Sequence, residues 1–92
     1  MIVSIQHKGL KLLWAKGNSA KLPQDQVGKI RQILTLLHAA EKVTDMNFPG
    51  SALHPLKGEL TNYWAVTVKA NWRIIFKFED GNAYLVDHVD YH

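Results

Sequence analysis

Four places along the chain hold side chains able to do chemistry: His54 with Lys57, Asn71, Arg73, and the run Asp90-Tyr91-His92. Cleavage of a phosphodiester by an adjacent ribose hydroxyl needs a base for the 2′-hydroxyl proton and an acid for the leaving 5′-oxygen. It also needs cations for the charge gathering on the phosphate. Histidine titrates near neutrality and serves as either acid or base, while arginine stays charged and grips phosphate with two parallel donors. His54, Lys57, Arg73 and His92 together supply that set. Taken singly, each has a plainer reading: a solvated loop His-x-x-Lys, an Arg paired with a carboxylate, a frayed Tyr-His.

Other chemistries fit the sequence less well. His88 and His92 are four apart, but on a strand that separates them by roughly 13 Å, too far for one zinc ion. There is no His-Glu-x-x-His run, no carboxylate cluster suited to magnesium, no glycine-rich phosphate loop and no serine elbow. With no cysteine, disulfides and thiol nucleophiles are excluded. No metal and no cofactor is implied.

The elements that must position these groups are concentrated in residues 63–92. Tyr63 to Lys69, Trp72 to Phe78 and Ala83 onward are rich in Val, Ile, Thr and aromatic residues and predict an antiparallel meander, with Asp80-Gly81 as a tight hairpin turn. Alternation puts Trp64, Val66, Val68, Trp72, Ile74, Phe76 and Phe78 on one apolar face and Thr67, Lys69, Arg73 and Lys77 on the other, a basic platform suited to an anion. Asn71, between two strands, is placed to read an adenine edge through its amide, or serves only the turn. Upstream, Ile2 to Gln6 predicts a first strand and Lys8 to Lys16 a helix closed by Gly17. A second helix opens at Pro23 and runs to about Ala40, with Val27, Ile30, Leu34 and Leu37 on a stripe widened by Ile33 and Leu36. Gly28 suggests a close helix–helix approach. Glu41 to Ser51 is an irregular link, and Leu53 to Gly58 a short edge or loop entering the meander. The expectation is one α+β domain over 1–92, in the order β-α-α-β-β-β, with two helices packed on one face of a mostly antiparallel sheet.

Charge narrows the partner. The formal net charge is +3, yet residues 78–92 carry Glu79, Asp80, Asp87 and Asp90 and no Lys or Arg. Residues 1–77 therefore hold all eleven cations against four acids, or +7. Such a body favours a polyanion such as nucleic acid or an acidic protein. No stretch approaches a membrane span or a signal peptide, so a cytoplasmic location without membrane contact is expected.

Leu53-His54-Pro55-Leu56-Lys57-Gly58, Ala70-Asn71-Trp72-Arg73-Ile74 and Asp90-Tyr91-His92 resemble the HigB-type toxins of the RelE/ParE superfamily. Length and element order agree with this across the whole chain. The resemblance implies a ribosome-dependent endoribonuclease that cuts mRNA in the A site and is held inactive by a helix-turn-helix antitoxin of the HigA type. It implies active-site roles for His54, Lys57, Arg73, Asp90, Tyr91 and His92. On this reading His54 or Asp90 is the base, Lys57 and Arg73 stabilise the transition state, His92 is the acid, and Tyr91 stacks on a base or bonds phosphate. Asn71, Lys69 and Lys77 are expected to contact RNA. The competing readings are a gyrase-inhibiting relative that acts by binding alone and a basic RNA-binding module without activity.

Overall fold

The computed structural model describes residues 1–90. Tyr91 and His92, two of the expected site residues, lie outside them. Two helices, α1 (Lys8–Lys16) and α2 (Val27–Ala39), precede a four-stranded antiparallel sheet. Its strands are β1 (His54–Pro55), β2 (Tyr63–Lys69), β3 (Trp72–Glu79) and β4 (Asn82–Asp90), adjacent in chain order.

The helices begin and end where the local chemistry requires. His7 caps α1, its Nδ1 accepting from the Leu10 amide at 3.3 Å. Gly17 ends that helix at φ 68°, the left-handed region in which a Cβ is costly. Pro23 stands just before a 3-10 turn (Gln24–Gln26) that leads into α2, so the second helix starts one turn later than Pro23 suggests. Ile30, Ile33, Leu34 and Leu37 of α2 are buried, whereas Leu36 is exposed and takes no part in the stripe. The glycine that permits close packing is Gly9, not Gly28. A Cβ on Gly9 would come within 2.9 Å of the His7 ring and 3.0 Å of the Lys21 carbonyl, while one on Gly28 would meet nothing within 4 Å.

Both helices cover the face of the sheet carrying Val66, Val68, Ile74 and Phe76, joined there by Ala83 and Val86 of β4. The opposite face is less polar than simple alternation implies. Ala65 and Ile75 point that way and, with Leu56, form a second small core against which Leu60, Tyr63 and Val89 pack.

Two irregularities set the faces. Asp80 and Gly81 take φ 52° and 78°, the two positive values of a tight hairpin, and bring Glu79 opposite Asn82. Further along, the β3–β4 register shifts between Ile75 and Lys77, and Leu85 lies at φ 54°. This bulge keeps Ala83 and Val86, three apart, on the same buried side. The expected first strand is not a strand of its own. Ile2 and Ile5 make isolated parallel bridges to Ala83 and Val86, along the outer edge of β4. Ser4 steadies the bulge, its Oγ accepting from the Leu85 amide at 2.9 Å. Among the described residues no helix is long and apolar enough to cross a membrane.

Candidate active site

The site is built on the sheet face turned away from the helices. His54 lies opposite Ala65, Ala65 opposite Ile75, and Thr67 opposite Arg73. Residues directly opposite share a face, so His54 and Arg73 rise from the same surface. Two strand spacings, about 10 Å, separate their strands. The floor between them is Ala65 and Thr67, small side chains that leave room for a sugar and phosphate.

The segment bearing His54 is held at both ends. The Thr67 amide donates to the Ser51 carbonyl at 2.7 Å and the Leu56 amide to the Tyr63 carbonyl at 2.9 Å. Within it Ala52 adopts φ 48°, and its carbonyl lies 2.8 Å from His54 Nδ1. A carbonyl can only accept, so Nδ1 carries the proton. Nε2 is left with its lone pair, the form a general base requires.

Arg73 is half-buried at the start of β3. Its Nη1 donates to the carbonyls of Ala70 (2.6 Å) and Trp72 (3.2 Å). Its Nε–H is buried and has no acceptor among the described residues. The sole ion pair among those residues is Lys69–Asp25, so no described carboxylate neutralises Arg73. The backbone thus aims a guanidinium whose charge is not spent on a neighbouring acid. A buried donor without a partner is costly unless a ligand completes it.

The remaining expected residues are distributed unevenly. Lys57 is exposed where the chain leaves β1 for a short 3-10 turn (Gly58–Leu60). Lys77 lies opposite Tyr63 on the His54 face, its Nζ 5.2 Å from the Tyr63 ring centre. Asn71 is exposed in the hairpin joining β2 and β3, where Ala70, at φ 49°, takes the left-handed conformation. Lys69 does not belong to the platform. A register shift after Thr67 places it opposite Trp72, on the helix side, where its Nζ pairs with Asp25 at 2.5 Å. That contact holds the Asp25 carboxyl below its ordinary range, chiefly through the hydrogen bond from Lys69, with Coulomb attraction adding to it and desolvation opposing. Asp90 likewise lies opposite Trp72, one residue out of phase with Arg73 and Val89, so strand alternation does not bring it beside His54.

A sequence model describing RelE-like toxins of the HigB type II toxin–antitoxin system matches residues 3–92. The chain belongs to the HigB-like toxin family. It is 45% identical to the endoribonuclease HigB of Proteus vulgaris over 92 residues, which cover the whole of both chains. Among solved structures, YafQ from E. coli strain BL21(DE3) superposes with a TM-score of 0.67 at 20% identity, covering 98% of this chain and 91% of that one. The YoeB–YefM complex from Staphylococcus aureus matches at 0.63 and 16% identity, covering 100% and 95%. At these identities the structural likeness shows the fold. Membership in a type II toxin–antitoxin family gives this HigB-like toxin an antitoxin as partner.

Beneath Arg73, on the helix side, the HigB-like chain buries a polar cluster that the sequence did not disclose. His88, only 6% exposed, contacts Gln26 through Nε2 at 2.9 Å and stacks on Trp72 with ring centres 4.5 Å apart. His7 meets it edge-on at 5.6 Å. Burial first, and the neighbouring His7 second, push the His88 pKa below its usual 6.5, with Asp87 opposing. The folded protein therefore holds His88 neutral more firmly than the unfolded chain does. As pH falls below about 6.5 the unfolded state gains a proton that the native state resists, so stability falls with acidification until the folded pKa is passed. Melting temperatures between pH 7.5 and 5.5 should decline, and His88→Gln should flatten that decline. An equal decline in the variant would assign it to other groups.

Proposed function

We propose that this chain is an endoribonuclease that cleaves mRNA on the ribosome by metal-independent attack of a ribose 2′-hydroxyl. The observation that carries this reading is the pairing of two prepared groups across the Ala65–Thr67 floor. The Ala52 carbonyl holds His54 in the tautomer protonated on Nδ1, and Arg73 is aimed by the backbone with no described carboxylate to neutralise it. His54 Nε2 takes the 2′-hydroxyl proton as that oxygen attacks the adjacent phosphorus. Charge gathers on the non-bridging oxygens, where the Arg73 guanidinium and the Lys57 ammonium stabilise it. The bond to the 5′-oxygen breaks, and His92 supplies that oxygen with a proton. The products are a 2′,3′-cyclic phosphate and a free 5′-hydroxyl, and no redox partner is required. Tyr91 packs on a base or bonds the phosphate, and Asn71 contacts a base edge beside Arg73. The partner that silences the toxin is an antitoxin of the HigA type.

The placement of Asp90 out of phase with Arg73 favours His54 over Asp90 as the base. Unlike a toxin that acts by binding alone, this protein should leave DNA supercoiling unchanged while cutting message.

A reconstituted translation system containing ribosomes and a defined mRNA tests the reading, with naked mRNA as the comparison. The wild-type protein should cut the ribosome-bound message. His92→Gln retains hydrogen bonding but not proton transfer and should lower the rate roughly 10²–10⁴-fold. Intact mRNA accompanied by gyrase-linked DNA breaks would replace this reading with the gyrase-inhibitor one.

A further inference from the structure

The described surface contains a cleft that the proposed reaction does not use. It has a volume of about 580 Å³ and lies at the end of the sheet remote from Arg73, where Pro55, Tyr63, Trp64, Lys77, Phe78 and Glu79 contribute to its lining. Lys77 and Tyr63 are directly opposite each other and belong to the same face as His54 and Arg73. From Arg73 to Lys77 along β3 is four residues, roughly 13 Å. One phosphate cannot touch both, but one strand of nucleic acid can.

We propose that this cleft is a second subsite for the same RNA strand, receiving a nucleotide outside the bond that is cut. Lys77 holds its phosphate, and Tyr63 and the surrounding apolar wall take its base. The proposal rests on the RNA-cleavage reading above.

Three features support it. Along β3 the outward positions read Arg73, Ile75, Lys77: cation, apolar, cation, the alternation suited to a backbone whose bases lie between its phosphates. Lys77 has no carboxylate partner among the described residues, and its Nζ sits over the Tyr63 ring, which holds the charge in place without neutralising it. Between the two cations Ala65 and Ile75 are buried in the small core they form with Leu56, and the half-buried Tyr63 packed against that core supplies the face on which a base can lie. Two acids border the path. Asp87 shares the Ile75 row, and one of its carboxylate oxygens accepts from the His88 amide at 2.9 Å. Glu79 stands at the rim of the cleft and suits the exocyclic amine of a base, as it would repel phosphate.

The test is a walk along a single-stranded RNA made uncleavable by a 2′-deoxy sugar at the cut position. Each phosphate in turn is replaced by a neutral methylphosphonate, and affinity is read by fluorescence anisotropy. Wild-type protein should lose about tenfold at the scissile phosphate and again at one phosphate more than one nucleotide away, whereas Lys77→Gln should be indifferent at that remote position alone. Tyr63→Leu should weaken binding most when that nucleotide carries a base and least when it is abasic. Melting curves verify that both variants fold, and the wild-type walk needs no variant. A wild-type profile with no remote sensitive phosphate overturns the proposal, as does a Lys77→Gln profile that keeps it. Failure of the function reading is separate: wild-type protein would then leave unmodified mRNA uncut on ribosomes, whatever the walk shows.

Discussion

His54→Gln is expected to lower the cleavage rate on ribosome-bound mRNA by roughly 10²–10⁴ under the proposed mechanism, the span general acid–base groups contribute. The variant isolates the chemistry because glutamine is close to histidine in size and polarity yet cannot accept and release the 2′-hydroxyl proton. His54 is only half-buried, so the melting temperature should stay close to wild type. Single-turnover cleavage beside a melting curve checks both. A loss below tenfold would move the base to Asp90, the alternative the sequence leaves open.

Arg73 gives the second large effect. Arg73→Ala removes the proposed transition-state donor and should cost on the order of 10²–10³ in rate. It also removes the Nη1 bonds to Ala70 and Trp72, so a stability loss of about 1–2 kcal/mol accompanies it. Arg73→Lys separates charge from shape: an ammonium keeps the charge but offers no planar fork. Partial recovery is expected, at least tenfold short of wild type by the worth of a bidentate contact. Full recovery by lysine would mean that charge alone suffices and the aimed guanidinium is incidental.

Local signals were the legible part of this fold. Asp80-Gly81 announced its hairpin because adjacent residues that tolerate positive φ have few other uses between two apolar runs. The even positions of β2 and β3 announced the buried face by alternation. What escaped was whatever depends on a break in that alternation or on a distant partner. Lys69 was assigned to the platform because counting by twos carries it there; the register shift after Thr67 turns it to Asp25 instead. Ala65 and Ile75, apolar residues at odd positions of the face read as polar, form the second small core. His88 and Gln26 are 62 residues apart, and neither has a local pattern that points to the other. Similarly, nothing in an alanine at position 52 foretells the left-handed turn that fixes the His54 tautomer. For the site, residue types were readable, whereas the face shared by His54 and Arg73 and the preparation of each group by backbone carbonyls depend on the pairing of β1 with β2 and on the folded backbone.

The bridges joining Ile2 and Ile5 to Ala83 and Val86 bear on when the protein can become active during its own synthesis. Ile2 to Gln6 is translated some eighty residues before its partner strand. Contacts of such separation form late and slowly. Until β4 is made, β3 has an open edge along Arg73, and Ile74 and Phe76 lack Val86 beside them in the core. The sheet edge beside Arg73 is therefore completed only after β4 has paired with β3 and met the Ile2–Ile5 segment.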